Sequence, residues 1–312
     1  MKTRPIGQTG IEAPVLAVGC MRLNTLDRPL AERYLKTALE LGLNFFDHAD
    51  IYGGGACESL FAEALGLSLS SDLREKLILQ SKCGIEQRDG HTIGYNHSKS
   101  YLLRTVDGIL KRLKTDYLDI LLLHRPDALT EPEEVAEAFE NLKSAGKVHH
   151  FGVSNYSAPQ LALLQKYWKE PLAVDQLQLS PANCSLIAAG LNVNLQNDAA
   201  IDRDGGTLDY CRLHNMTIQA WSPLQYGFFE GTFLGSDRFP ELNHILEEIG
   251  AAHSLTPAAT AIAWLLRHPA GIQPVTGTMN TAHLRYLAAA ASVTLSREEW
   301  YTIYRAAGHP LP

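Results

Sequence analysis

No stretch of this chain has the roughly 20 consecutive apolar residues that a membrane span requires. The opening segment, MKTRPIGQTG, has no apolar signal core. The five cysteines, Cys20, Cys57, Cys83, Cys184 and Cys211, are odd in number, scattered and never spaced as CxxC. That pattern argues against a disulfide framework or a zinc knuckle and points to reduced thiols in a cytoplasmic protein. No run of Lys or Arg stands out, and the net charge is −7, so neither nucleic acid nor an anionic membrane is an expected partner. A GxGxxG turn is missing, which removes the usual signature of a Rossmann dinucleotide site. The close His/Cys/Asp spacing of a metal site is missing too, so no metal is expected.

What is present is an ordinary globular composition of 312 residues, 46% hydrophobic and 20% charged, long enough to bury a large core. One domain over residues 1–312 is the natural expectation. Eight short apolar runs recur along it: Val15–Val18, Leu43–Phe46, Leu77–Leu79, Leu118–Leu123, Phe151–Val153, Leu172–Val174, Met216–Ile218 and Ile272–Val275. Between them lie helical patterns at Ala31–Leu41, Leu102–Leu113, Pro132–Ala145, Ala158–Tyr167 and Thr207–Leu213. Strands alternating with helices imply parallel βαβ units. Eight such units predict an α/β fold, a (β/α)8 TIM barrel, with an open doubly wound sheet as the alternative. Residues 2–14, with the turn Gln8-Thr9-Gly10, read as an N-terminal β-hairpin plugging the barrel floor. Arg297–Ala306 reads as an extra C-terminal helix, 181–206 as a long functional loop, and 222–239 as irregular chain.

In such a barrel the side chains at the C-terminal strand ends share one mouth. The residues that follow the runs are polar, while the strand interiors read as plain Leu, Ile and Val. Among the polar residues, Asp47, Tyr52, Lys82 and His124 form a coherent set. A phenol near pKa 10 is a weak acid at neutral pH. An ammonium such as Lys82 lowers that pKa by favouring the phenolate, and Asp47 can hold Lys82 charged and in place. His124 can donate a hydrogen bond to a substrate oxygen. The set suits proton delivery to a carbonyl oxygen, and the hydride must come from a cofactor because no side chain supplies one. His48 should point away from the mouth if Asp47 points in. Glu58 reads as a favourable charge in the first turn of a helix. Two other chemistries remain open: a Schiff base on Lys82, and metal-assisted hydrolysis by His48, Asp50 and His124.

The stretches DHADIYGG, SKCGI, LLLHRPD, GKVHHFGVSN and AWSPL, in this order and each at a strand end, resemble the aldo-keto reductase superfamily and in particular its bacterial YdhF-like branch. The resemblance runs from about Gly7 to Gly308. It implies an NAD(P)H-dependent reductase of a small-molecule aldehyde or ketone, with Asp47, Tyr52, Lys82 and His124 as the catalytic tetrad and Tyr52 as its general acid–base. It also implies that Ser154, Asn155 and Gln176 bind the nicotinamide carboxamide, that Trp221 stacks on the ring, and that Ser222 and Leu224 line the pyrophosphate. Gly19, Cys20 and Met21 would lie near the nicotinamide ribose, and Gly277 and Thr278 would begin the loop that grips the adenosine 2′-phosphate. In that loop His283 and Leu287 stand where many relatives carry Arg and Asn, and Arg285 is a further cation within reach. NADP(H) rather than NAD(H) is the implied cofactor; nothing in the sequence itself requires more than a monomer, though an exposed face could pair as a weak homo-oligomer. Some relatives act instead as cofactor-binding regulatory or redox-sensing subunits with little turnover.

Overall fold

A computed structural model describes residues 1–67 and 71–312. The strands are β1 (Thr3–Pro5), β2 (Glu12–Pro14), β3 (Ala17–Gly19), β4 (Phe45–Asp47), β5 (Ile78–Cys83), β6 (Ile85–Arg88), β7 (His91–Tyr95), β8 (Leu118–Leu123), β9 (Val148–Ser154), β10 (Val174–Gln178), β11 (Thr217–Trp221) and β12 (Gln273–Thr276). Eight of them, β3, β4, β5, β8, β9, β10, β11 and β12, pair in parallel, and β12 returns to β3 to close a barrel. That closure rules out the open doubly wound sheet. Helices surround it: α1 (Arg28–Glu40), α2 (Ala56–Leu65), α3 (Ser71–Arg74), α4 (Lys99–Leu113), α5 (Pro132–Ser144), α6 (Ala158–Tyr167), α7 (Ser185–Leu191), α8 (Thr207–Leu213), α9 (Pro240–His253), α10 (Pro257–Arg267), α11 (Thr281–Ala289) and α12 (Arg297–Ala306).

The helices start where local chemistry allows. Asp27 accepts a hydrogen bond from the Leu30 amide and Pro29 sits in the first turn of α1, so its otherwise unpaired N–H groups are partly satisfied. Ala31, Tyr34, Leu35 and Ala38 then fall on one buried face. Ser296 and Glu299 form a capping box at the start of α12. The Trp264 and Trp300 rings stack at 4.8 Å, and each indole N–H donates to the other residue's backbone carbonyl, at 3.0 and 3.1 Å. This reciprocal pair ties the C-terminal helix to α10.

The core has two parts. The larger lies between barrel and helices. The smaller fills the barrel floor, where Phe45, Ile78, Ile120, Leu122, Val174 and Val275 meet Ile6 and Ala13 from the β1–β2 hairpin. The Gly7 amide donates to Thr217 Oγ1 at 2.8 Å and pins the hairpin there.

Several strands run further toward their C-termini than their apolar runs predict. The run at Leu77–Leu79 becomes β5, which extends to Cys83, and that at Leu172–Val174 becomes β10, which extends to Gln178. Of the added residues, Gln80, Lys82 and Gln176 are polar and buried, so the barrel interior is not plain Leu, Ile and Val. Its upper half holds Gln80, Lys82, Gln176, Gln219 and Gln273, all buried. Hydrophobic periodicity cannot register a strand whose inward face is polar. Segment 181–206 is also more ordered than a loop, since α7 forms within it. Segment 83–97 holds the β6–β7 hairpin. Its turn is Asp89-Gly90, both residues at positive φ, which is a hairpin signal the weak apolar pattern around it obscures.

At Gly152 on β9 an added Cβ would lie 2.6 Å from the Val174 carbonyl oxygen and 2.7 Å from Leu122 Cδ2. Gly152→Ala should therefore cost about 1–3 kcal/mol through overpacking between strands. Denaturant melts check this, and an unchanged midpoint would show that the strands can part at no cost.

Candidate active site

The C-terminal strand ends open into a cleft of about 1130 Å³. Asp47 ends β4, and Tyr52 begins the 3-10 turn Tyr52–Gly55 that follows it. Gly53 and Gly54 take φ of +58° and +61° there, which swings the chain into α2. Lys82 comes from the end of β5, and His124 follows β8. Lys82 is fully buried. Its ammonium donates to Asp47 Oδ2 at 2.8 Å, to the His48 carbonyl at 2.8 Å and to Tyr52 Oη at 3.1 Å. Those bonds use all three ammonium donors. The Tyr52 oxygen is thus an acceptor toward Lys82, which leaves its own proton for a partner in the cleft. The Tyr52 and His124 rings meet edge to face at 5.9 Å.

Burial pulls the Lys82 pKa down, but the charge of Asp47, the Tyr52 oxygen and their hydrogen bonds outweigh it and raise it above the ordinary lysine value. Lys82 therefore stays charged. Burial pushes the Tyr52 phenol up, and Lys82 pulls it back; burial prevails, so the phenol holds its proton more tightly than a free tyrosine. His124 is driven well below the usual histidine range by burial and by the charges of Lys82 and Arg125, so it is neutral.

A chain of glutamines supports Asp47 from below. Gln80 Nε2 donates to Asp47 Oδ1 at 2.6 Å and to Gln219 Oε1 at 2.8 Å. Gln176 Nε2 donates to the same two oxygens at 3.1 and 2.9 Å. Gln219 passes on to Gln273 at 2.9 Å, and Gln273 to the Pro14 carbonyl at 2.7 Å, at the hairpin. Strand register produces this layer, because Asp47 faces Gln80, Gln176 faces Gln219, and Gln219 faces Gln273.

Gly19, Met21, Ser154, Asn155, Gln176, Trp221, Ser222, Leu224, Gly277, Thr278 and His283 all line the cleft. Ser154 Oγ donates to the Gln176 carbonyl at 2.8 Å, Asn155 Nδ2 donates to Ser154 Oγ at 2.7 Å, and the Trp221 indole N–H donates to Asn155 Oδ1 at 3.1 Å. Two expected residues lie elsewhere. Cys20 is fully buried behind the strand end, because alternation turns its side chain away from its neighbours Gly19 and Met21. Arg285 points to α1, where it pairs with Glu40 at 3.3 Å, while Thr281, His283 and Leu287 of α11 line the cleft. His48 is fully buried against Phe61 at 4.6 Å, and burial lowers its pKa to about 3, so it is a neutral packing residue. Glu58 is buried in the first turn of α2, accepting from Ser81 Oγ and Arg112 Nε, each at 2.7 Å.

The Aldo/keto reductase family matches residues 15–307 of this chain. The chain is 40% identical over 304 residues to the uncharacterized oxidoreductase YcsN of Bacillus subtilis, covering 94% of each. It is 36% identical over 284 residues to the oxidoreductase YdhF of Escherichia coli, covering 89% of this chain and 88% of YdhF. This chain belongs to the aldo/keto reductase family. The crystal structure of the thermostable aldo-keto reductase Tm1743, in complex with the inhibitor epalrestat, aligns with a TM-score of 0.77 at 28% identity, over 98% of this chain and 100% of that one.

Aldo-keto reductases use nicotinamide cofactors, and this member is accordingly an oxidoreductase of the carbonyl-reducing kind. The cleft fits such a group in its donors and acceptors. Ser154, Asn155 and the Gln176 amide oxygen offer an amide-recognising edge beside Trp221, and the guanidinium groups of Arg22 and Arg33 line the same cleft, with His283. Arg22 also donates to the Gly277 carbonyl through Nε at 3.1 Å and through Nη2, linking the loops after β3 and β12 across the cleft. Sequence reading passed over Arg22, Arg33, Gln219 and Gln273, and placed Gln80 at a strand end without a role. The spacing Gln80-x-Lys82 is the one local signal that the inward face continues as polar.

Asp50 lies beside this site, and burial followed by the charge of Glu58 raises its carboxyl pKa from 3.8 to about 7. A raised folded-state value means that this group's contribution to stability is full below the unfolded pKa and is lost as pH rises through about 7. Asp50→Asn, which keeps the shape without the charge, should therefore stabilise the protein more at about pH 8 than at about pH 5. Urea melts at the two values test this, and an equal effect at both would show that folding does not perturb the carboxyl.

Proposed function

We propose that this protein reduces an aldehyde or ketone to an alcohol, reversibly, with Tyr52 as general acid in the reductive direction and as general base in the reverse. The observation that carries the reading is the triple hydrogen bonding of the Lys82 ammonium to Asp47, His48 and Tyr52. It holds the phenol with its lone pair toward the cation and its proton toward the cleft. A bound reduced nicotinamide supplies the hydride for the carbonyl carbon. Tyr52 gives its proton to the carbonyl oxygen as negative charge develops there, and Lys82 stabilises the phenolate that remains. Neutral His124 donates a hydrogen bond to the same oxygen and orients it. Lys82 is unsuited to Schiff-base chemistry, because its charge is locked by Asp47.

Ser154, Asn155 and Gln176 are assigned to the carboxamide, Trp221 to the ring face, and Ser222 and Leu224 to the pyrophosphate. Gly19 and Met21 are assigned to the ribose, and Gly277 and Thr278 to the loop beyond it. Arg33 and Arg22, which line the same cleft as His283, support NADP(H) over NAD(H), because guanidinium groups suit a 2′-phosphate.

Tyr52→Phe should keep NADPH binding, followed by quenching of tryptophan fluorescence, while turnover falls at least about 100-fold. NADPH should bind more tightly than NADH in the same titration. Near-normal turnover in Tyr52→Phe would remove the tyrosine from the chemistry. Lys82→Met should lower reductive turnover and move the alkaline limb of the kcat/KM profile upward, because the phenol loses the charge that favours its ionised form. An alkaline limb that stayed in place would assign it to another group.

A further inference from the structure

The cleft contains a cation that proton transfer does not use. Arg125 follows His124 at the end of β8, is half-buried and lines the cleft. Its guanidinium lies 5.7 Å from the centroid of the Trp221 ring and 5.3 Å from that of Phe228. No ion pair to a carboxylate reaches it among the described residues. Asp127, close by in the chain, is already engaged: its two oxygens accept from the His97 amide at 3.1 Å and the Leu129 amide at 2.9 Å. Burial lowers the Arg125 pKa, opposed by the phenols Tyr95 and Tyr52.

A guanidinium withdrawn from water without a counter-charge carries a desolvation cost. The two aromatic rings offset part of it. They leave the planar edge of the fork, the part that matches an oxyanion, without an anion to bind. The surroundings suit a ligand anion joined to a short carbon chain. Phe228 and Phe229, 59% and 58% exposed, offer apolar walls. Tyr52 and His124, beside Arg125, frame the position of the carbonyl oxygen.

We propose that Arg125 binds an oxyanion on the substrate, so that the preferred substrates are aldehydes or ketones bearing a carboxylate or phosphate group. The proposal rests on the reductase reading above and adds the class of substrate to it. The anionic group is not transformed. Hydride adds to the carbonyl carbon and the Tyr52 proton to its oxygen, while Arg125 fixes the far end of the molecule.

The test compares 4-carboxybenzaldehyde with 4-nitrobenzaldehyde, whose nitro group has the shape of a carboxylate without its net charge. Both are measured with wild type, R125M and R125K at saturating NADPH. R125M should lower kcat/KM for the carboxylate about 10- to 100-fold, mainly through KM, and for the nitro compound less than about threefold. R125K, which keeps the charge but not the fork, should recover part of the loss. Equal losses on both aldehydes would overturn the proposal, because Arg125 would then only brace Trp221 and Phe228. A weaker NADPH dissociation constant in R125M with the substrate ratio unchanged would also overturn it, assigning the cation to a cofactor phosphate. Failure of the wild type to oxidise NADPH with either aldehyde would instead overturn the reductase reading. Turnover of 4-nitrobenzaldehyde by R125M shows that the variant is folded and the reaction intact, so the ratio alone then decides.

Discussion

An ammonium sealed inside a barrel needs a fixed counter-charge, and the contact of Lys82 with Asp47 at 2.8 Å supplies it. Removing either ion from water alone would cost several kcal/mol. Asp47 therefore has to be held as firmly as Lys82. One of its oxygens serves the lysine, and the other accepts from Gln80 and Gln176. Their amide nitrogens each donate a second time, to Gln219 Oε1, and Gln219 and Gln273 pass the donation on to the Pro14 carbonyl, while the buried Gln80 amide oxygen is left without a partner among the described residues. A single buried charge pair thus accounts for a polar layer across the barrel, and that layer ends at the hairpin that closes the apolar floor.

The division of the interior follows from this. Below the layer the side chains are apolar and close-packed, with Ile6 and Ala13 completing a core the strands cannot close alone. Above it the groups are polar and face the cleft. Glu58 extends the same logic outward. It sits behind β5 with its carboxylate shared between Ser81 and Arg112, and so braces the strand that carries Lys82 from the helix side. A lysine whose three donors are all engaged keeps its ammonium 3.1 Å from the phenol oxygen of Tyr52.

The cleft itself is asymmetric in charge. Near Tyr52 its walls combine a neutral imidazole, aromatic rings and Arg125, which has no carboxylate partner among the described residues. Toward α11 it carries Arg22, Arg33 and His283. The loops that build these regions differ in character from the strands, because their side chains answer to the ligand rather than to the core.

The sequence by itself determined the eight-fold alternation, the plugging hairpin, the C-terminal helix and the gathering of Asp47, Tyr52, Lys82 and His124 at one rim. Each of these depends on local chemistry: apolar period, turn residues, caps, and polar groups placed directly after apolar runs. Only the tertiary structure decided how far β5 and β10 extend, that Gln80, Gln219 and Gln273 point inward as a connected layer, that Cys20 faces away from the cleft, and that Arg285 serves Glu40 while Arg125 pairs with no carboxylate among the described residues. A side chain's partner depends on strand register and barrel closure, which bring together residues far apart in the chain, such as Gln80 and Gln219, and no local period carries that information.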